Sequence, residues 1–158
     1  VLAPTVGVTA IAAGMLLPAL AKAKAKAQTI NTVSNLKQLG LAARMYANDN
    51  GSKFPKAESW GDDLREYLGN TKVYKAVNDP SPRRCSFAFN AKLSGLSEGR
   101  INPQTVLFFE TDDGDWNQSG GPELLIERPR SGTFTIGFAD GSVQMIPPPR
   151  ISSLRWDP

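Results

Sequence analysis

The feature that most constrains the fold of this chain is an uncharged, largely apolar segment at its beginning. No Asp, Glu, Lys or Arg occurs from Val1 to Ala21, and Lys22 is the first charged residue. As an α-helix rising 1.5 Å per residue, this segment would be roughly 31 Å long, which matches the hydrocarbon core of a bilayer. We therefore expect residues 1–21 to form a membrane-spanning helix.

The sequence begins without Met and directly in apolar residues. A secretory signal would show a basic region, a short apolar run and a cleavage site in that order. The absence of a basic region favours the mature end of a processed precursor whose leader has been removed. A chain that was shortened at its start would look the same, so both interpretations stay open.

One long helix is predicted from about Val6 to Asn48, because Ala, Leu, Lys, Gln, Met and Arg dominate this stretch. Asn and Gly tolerate a left-handed cap, so Asn48 to Gly51 should end it. Pro18 lies inside the apolar segment and predicts a kink or a locally melted turn there. Apolar residues at three- and four-residue spacing form a stripe on which a globular head would dock. The stripe consists of Ile30, Val33, Leu36, Leu39, Ala43 and Ala47.

The chain is thus expected to consist of a helix of residues 1–50 and a β-rich head of residues 51–158. A short helix is predicted from Asp62 to Leu68. Asp140-Gly141 is the strongest hairpin signal, and from Pro147 the chain should continue as an extended tail. The predicted fold class is α+β, with a small antiparallel sheet covering the long helix. The strand candidates are Ser86–Phe89, Thr105–Glu110, Glu123–Glu127, Thr133–Ala139 and Ser142–Ile146.

The positive net charge of the chain belongs to the helix. Residues 1–50 contain five Lys or Arg and one Asp, whereas residues 51–158 contain 13 Lys or Arg and 14 Asp or Glu. A nucleic-acid-binding domain would carry a basic face on its folded part, so no specific nucleic-acid partner is expected. The chain has no His and only one Cys, Cys85. This composition excludes a zinc cluster of His and Cys and a Ser-His-Asp triad, and we expect no enzyme activity.

Two loops of the head carry candidate binding residues. Asp112, Asp113, Asp115 and Asn117 form an acidic cluster, and the last three have the spacing at which calcium loops place oxygen ligands. Gln118 stands where such a loop needs Gly, so a weak calcium site and a solvated acidic loop both stay open. No other cofactor is expected.

The second loop is basic. Arg83 and Arg84, with Lys72 and Lys75 nearby in the sequence, could contact DNA or an anionic surface, or could be a solvated loop beside a strand. Charge alone does not separate the two interpretations.

Several blocks of residues resemble one bacterial family. They are Leu16 to Lys24 (LLPALAKAK), Asn35 to Ala42 (NLKQLGLA), Asn102 to Glu110 (NPQTVLFFE) and Gly137 to Val143 (GFADGSV). These blocks resemble the prepilin-type, type II secretion pseudopilin-like proteins with a C-terminal His-x9-Asp-Gly segment. The resemblance covers most of the chain.

The resemblance implies a type IV pilin-like fold, insertion in the inner membrane, cleavage by a prepilin peptidase, and assembly by pilus or type II secretion machinery. The product would be an extracellular helical homopolymer at the cell surface. The alternative is a membrane-anchored minor pseudopilin or ligand-binding head that does not form homopolymers. The residues expected to make assembly contacts are Val1, Val6, Val8, Ile11, Met15, Leu16, Leu17, Pro18, Leu20, Lys22, Lys24 and Lys26.

The chain departs from the family pattern at four positions. Arg130 stands where the family has its signature His, with nine residues between it and Asp140. Thr32 and Ala76 stand where the family often has cysteines. If Pro18 matches the pilin-type helix proline, the acidic residue typical of pilins would fall at Val1.

Overall fold

The first element is a single long helix. The structure is a computed structural model that describes the backbone of residues 6–158 and the side chains of residues 16–158. Helix α1, Val6–Asp49, runs through Pro18 without interruption, so the expected melted turn is wrong, while a kink stays a prediction. The expected end of the helix is confirmed to within one residue. Gly51 has a φ of 66°, a left-handed conformation that Gly adopts without steric cost.

Only the second half of α1 contributes to the core of the head. All residues from Leu16 to Ala27 are exposed. The predicted stripe is confirmed at Leu36, Leu39, Ala43 and Ala47, which are fully buried. The prediction that Ile30 docks against the head is wrong, because its side chain is 57% exposed. No helix among the described residues is both long and apolar enough to cross a membrane.

The head contains a mixed sheet of five strands in the order β3-β1-β2-β4-β5. β1 pairs antiparallel with β2, β2 with β4 and β4 with β5, whereas β1 and β3 are parallel. The α+β class is therefore confirmed, but the expectation of a purely antiparallel sheet is wrong. The strands are β1 Phe87–Asn90, β2 Val106–Glu110, β3 Ser119–Gly120, β4 Phe134–Phe138 and β5 Val143–Ile146.

Two local predictions in the head are wrong in part. The expected strand Glu123–Glu127 is absent, and Pro122–Leu124 forms a 3-10 turn instead. Pro122 has no backbone N–H to donate to a strand ladder, which favours a turn at this point. The expected helix from Asp62 to Leu68 is shorter and begins earlier, as α2, Trp60–Asp63, followed by a 3-10 turn at Arg65–Tyr67.

The hairpin between β4 and β5 is confirmed. The Gly141 N–H donates to the carbonyl of Phe138 at 2.9 Å, and Gly141 has a φ of 82°. The Asp140 carboxylate accepts from the Ser142 N–H at 2.8 Å. Asp140 and Gly141 therefore have the structural roles that the hairpin signal predicts.

The sheet is covered on both faces. One face packs against α1, with Phe87, Phe89 and Phe108 in the same buried cluster as Leu36 and Leu39. The other face has a second cluster that includes Phe109, Phe134 and Ile136. Since both faces are covered, all residues of β1, β2 and β4 are buried.

The C-terminal segment covers that second face, so the expectation of an extended, departing tail is wrong. Pro148–Ser153 forms a 3-10 helix, and Thr105 then bridges Arg155. The Trp156 ring meets the Phe109 ring edge-on with centroids 5.0 Å apart. Partial burial of Trp156 against this cluster stabilises the segment on the sheet.

Candidate assembly surface and charged sites of the head

The exposed half of α1 presents apolar side chains that the head does not cover. Leu16, Leu17 and Leu20 are each about two-thirds exposed, at 66%, 67% and 67%. Ala19 and Ala23 lie on the same apolar surface. We call Leu16 to Ala23 the projecting helix surface. Large contiguous apolar patches on protein surfaces mark contacts with other proteins, with membranes or with ligands.

The structure describes only some of the other residues that are predicted to make assembly contacts. Lys22, Lys24 and Lys26 are exposed and form no ion pair with any side chain that the structure describes. Val1 lies outside the described residues. The backbone of α1 includes four further predicted contacts, whose side chains lie outside the described part: Val6, Val8, Ile11 and Met15.

The four residues of the predicted calcium loop do not converge in the structure. Asp112, Asp113 and Asp115 are exposed, and Asp112 pairs with Arg130 at 3.2 Å. Asn117 is turned toward α2: its Oδ1 accepts from the Gly61 N–H at 2.7 Å. Within the described part of the chain, no three acidic, His or Cys side chains are arranged as metal ligands. Calcium binding at this loop stays a prediction.

Arg130, at the position where the resembled family has its signature His, is the centre of a buried ionic cluster. Its guanidinium lies 3.5 Å from Glu110 Oε1 and 3.7 Å from Asp79 Oδ2. The side chains of Glu110 and Asp79 are only 2% and 4% exposed. The cluster also includes Lys75, whose Nζ is 3.2 Å from Asp79. Sequence reasoning missed it because its members are far apart along the chain.

The two buried carboxyls of this cluster have opposite pKa shifts. Burial raises the pKa of Glu110, and the charge of Arg130 offsets this only in part. Burial also acts to raise the pKa of Asp79, but hydrogen bonds from Ser86 and Ser81 and the charge of Arg130 lower it to about 2. Of the two carboxyls, Asp79 is therefore charged at neutral pH, and Glu110 is the one more easily protonated.

Thr32 and Ala76, the positions at which the resembled family often has cysteines, are neighbours in the structure. The Thr32 hydroxyl accepts from the N–H of Val77, the residue after Ala76, at 3.1 Å. Both Thr32 and Ala76 are 1% exposed. The contact joins α1 to the loop of the head that follows the 3-10 helix Thr71–Tyr74.

The predicted basic residues lie around a groove that follows the loop of residues 70–79. One compartment of the groove has a volume of about 530 Å³ and is lined by polar residues of α1, among them Asn31 and Ser34. A second compartment of about 400 Å³ is lined by Arg84 and Trp116 and by no residue of α1. Lys72 and Lys75 line both compartments.

Of the predicted basic residues, Arg84, Lys72 and Lys75 therefore come together around the groove. Arg83 contributes its backbone carbonyl, which accepts from Lys75 Nζ at 2.7 Å. Sequence reasoning did not include the asparagines of α1. Their spacing shows that they share a helix face but not that a cavity adjoins it.

Comparison of the chain with protein-family models, with curated proteins and with solved structures found no match.

Proposed function

We propose that this chain is a structural subunit of an extracellular type IV pilus-like or pseudopilus helical filament, which polymerises through its N-terminal helix. The observation that carries the proposal is the division of α1 into a docked half and a projecting half. Leu36 and Leu39 are fully buried against the sheet, whereas Leu16, Leu17 and Leu20 are exposed on the same continuous helix.

The apolar surface of the projecting half needs a partner outside the head. Each exposed leucine that is transferred out of water contributes roughly 1.5–3 kcal/mol before ordering costs are subtracted. A bundle of identical helices supplies such partners, and a head-to-tail contact that does not close gives an open helical filament. The resemblance of several sequence blocks to prepilin-type proteins supports the same function.

In this proposal the lipid of the inner membrane covers the apolar segment before assembly, and neighbouring copies cover it afterwards. Lys22, Lys24 and Lys26 follow the apolar segment directly. Their long stems can lie on apolar surface while the ammonium groups reach water or carboxylates on neighbouring heads. Pilus or type II secretion machinery and a prepilin peptidase would be the partners of the precursor.

The test is electron microscopy of the purified full-length chain after detergent removal. Helical filaments with the N-terminal helices in their core are expected. Leu17→Glu, in the projecting helix surface, should prevent assembly, because it places a carboxylate in an apolar bundle. Met145→Glu is the matched control, since Met145 is 53% exposed on strand β5 and should not affect filaments.

Detergent-dependent monomers of the unmodified chain would contradict the proposal and favour a membrane-anchored minor pseudopilin or ligand-binding head. Filaments that form equally well with Leu17→Glu would show that α1 is not the polymerising element.

A further inference from the structure

We infer that the groove along the loop of residues 70–79, with its two compartments that share Lys72 and Lys75, binds an acidic polysaccharide. This inference does not depend on polymerisation, because all the lining residues belong to one copy of the chain. It concerns what the head binds, whereas the proposed function concerns how the helix assembles.

The compartment lined by Arg84 and Trp116, which we call the cationic compartment, has an excess of positive charge. Four cationic side chains line it, those of Arg65, Lys72, Lys75 and Arg84, and no carboxylate does. Lys75 is engaged by Asp79 and by carbonyl oxygens, and Arg65 lies 3.3 Å from Asp62. Lys72 and Arg84 form no ion pair with any described side chain. Both are exposed, so they are available to sulfate or carboxylate groups of a ligand.

The cationic compartment is held in shape by hydrogen bonds and aromatic contacts. The Asp62 carboxylate accepts from Trp116 Nε1 at 3.0 Å and from Asn117 Nδ2 at 2.8 Å. The guanidinium carbons of Arg65 and Arg84 each lie 5.3 Å from the centroid of the Trp116 ring. These contacts orient the two guanidinium groups before a ligand arrives, which reduces the ordering cost of binding.

The neighbouring compartment adds uncharged polar side chains to those of Lys72, Lys75 and Asp79, which also line it. Asn31, Ser34 and Asn70 line it and are exposed. Amide and hydroxyl side chains both donate and accept, which matches the hydroxyl groups of a sugar. The loop is held in place against α1 in this compartment, because Asn35 Nδ2 donates to the Lys75 carbonyl at 2.9 Å and Thr32 accepts from the Val77 N–H.

The combination favours a saccharide that carries anionic groups over other anionic polymers. A nucleic acid would need a row of phosphate contacts and free aromatic faces for its bases. Here the Trp116 ring already packs against two guanidiniums and the Tyr74 ring, whose centroid is 4.7 Å away.

The test measures binding of the full-length chain, in detergent, to immobilised dextran sulfate and polygalacturonate, with unmodified dextran and single-stranded DNA as comparison surfaces. We expect binding to at least one acidic polysaccharide and none to unmodified dextran. The double variant Lys72→Gln, Arg84→Gln should weaken binding by about tenfold or more, as expected for the loss of charge-assisted hydrogen bonds.

The matched control is Lys56→Gln with Arg100→Gln, which removes the same charge at exposed positions that line neither compartment. Its binding should stay within about twofold of the unmodified chain, since distant surface charges are screened by salt. Thermal unfolding of both double variants should match that of the unmodified chain. The pair Asn31→Ala and Ser34→Ala should weaken polysaccharide binding without changing competition by inorganic sulfate.

Three results would overturn the inference: no binding to either acidic polysaccharide, an equal loss in the groove and control variants, or tighter binding of DNA that the groove variants abolish. The last would assign the groove to nucleic acid. Failure of filament formation would leave these measurements unaffected, so the two proposals can fail separately.

Discussion

At the scale of single residues, the Arg130 guanidinium lies among carboxylates of which two, those of Glu110 and Asp79, are almost fully buried. A buried ion pair adds little net stability compared with apolar packing, but removing one partner leaves an uncompensated charge. The cost is largest where the remaining groups have few other partners. Asp79 also accepts from Ser86 Oγ at 2.6 Å and from the Ser81 N–H at 2.9 Å. Glu110 accepts from the Thr135 N–H at a longer 3.4 Å, so it depends more on Arg130.

The substitution Arg130→Met should lower the free energy of unfolding at neutral pH by about 3–5 kcal/mol. Burial already raises the folded-state pKa of Glu110, and this variant removes the charge that offsets it. A raised folded-state pKa gives stability that is present at low pH and lost as pH rises through that pKa. The loss in free energy of unfolding that the variant shows should therefore shrink as the pH is lowered from neutral toward 4.5, the ordinary pKa of Glu. Urea unfolding at several pH values measures it.

The control for this prediction combines Arg130→Met with Glu110→Gln. The added change removes the group that takes up the proton, so the recovery at lower pH should disappear. A deficit in Arg130→Met alone that stays constant with pH would show that Glu110 does not depend on Arg130.

At the scale of elements, α1 is attached to the loop of residues 70–79 through side-chain hydrogen bonds to the backbone. Thr32 and Asn35, one turn apart on α1, bond to Val77 and Lys75. Closer to the C-terminus of the helix, the contact is apolar: a Cβ added at Gly137 of β4 would lie 3.3 Å from Leu36 Cγ. The sheet therefore approaches α1 closely where Gly137 has no side chain, and the loop fixes the helix on one side.

The contact between α1 and this loop predicts that Thr32→Cys and Ala76→Cys together form a disulfide. The cross-link should stabilise the oxidised protein over its reduced form by up to about 4 kcal/mol, from the chain entropy of a loop of this length. Thiol titration of the denatured protein should then find one free thiol, that of Cys85, the only native Cys. Urea unfolding with and without reductant measures the gain.

Each single cysteine variant is the control and should show no dependence on reductant. A double variant that remains fully reduced under oxidising conditions would contradict the adjacency of Thr32 and Ala76.

At the scale of the whole molecule, the two halves of helix α1 lie in different environments. Its residues from Thr29 to Ala47 include members of the buried core of the head, whereas its residues from Leu16 to Ala27 contact no core cluster. The head therefore cannot be separated from α1 at residue 50 without losing core. A division within the helix, before Thr29, would leave the core intact.

A chain that begins at Ala25 should fold with a melting temperature within a few degrees of that of the full-length protein. It retains the Ala25 carbonyl, which accepts from the Thr29 hydroxyl at 3.0 Å, and it loses the projecting helix surface. It should remain monomeric without detergent. Calorimetry and size-exclusion chromatography check both statements.

The contrasting variant begins at Lys37 and lacks Thr32 and Leu36, so it should show no cooperative thermal transition. A chain beginning at Ala25 that also failed to unfold cooperatively would mean that the projecting half contributes to the stability of the head.

Much of the fold could be predicted from local patterns in the sequence. The apolar stripe of α1, the strands β2 and β4 and the turn at Asp140-Gly141 depend on residues close together in the chain. Periodicity and turn chemistry report such short-range interactions directly. The same is true of the end of α1 at Asn50 and Gly51.

Only the tertiary structure decided which parts of those patterns are covered and which distant groups meet. Ile30 is exposed although Thr29 and Thr32 beside it are buried, because it lies on the side of the helix that faces away from the head. Arg130 meets Asp79 and Glu110. Lys72 and Lys75 line both the compartment that contains asparagines of α1 and the compartment that contains Arg84 and Trp116. These contacts depend on long loops whose ends are brought together by burial of two apolar clusters on the sheet, and a local pattern carries no information about that pairing.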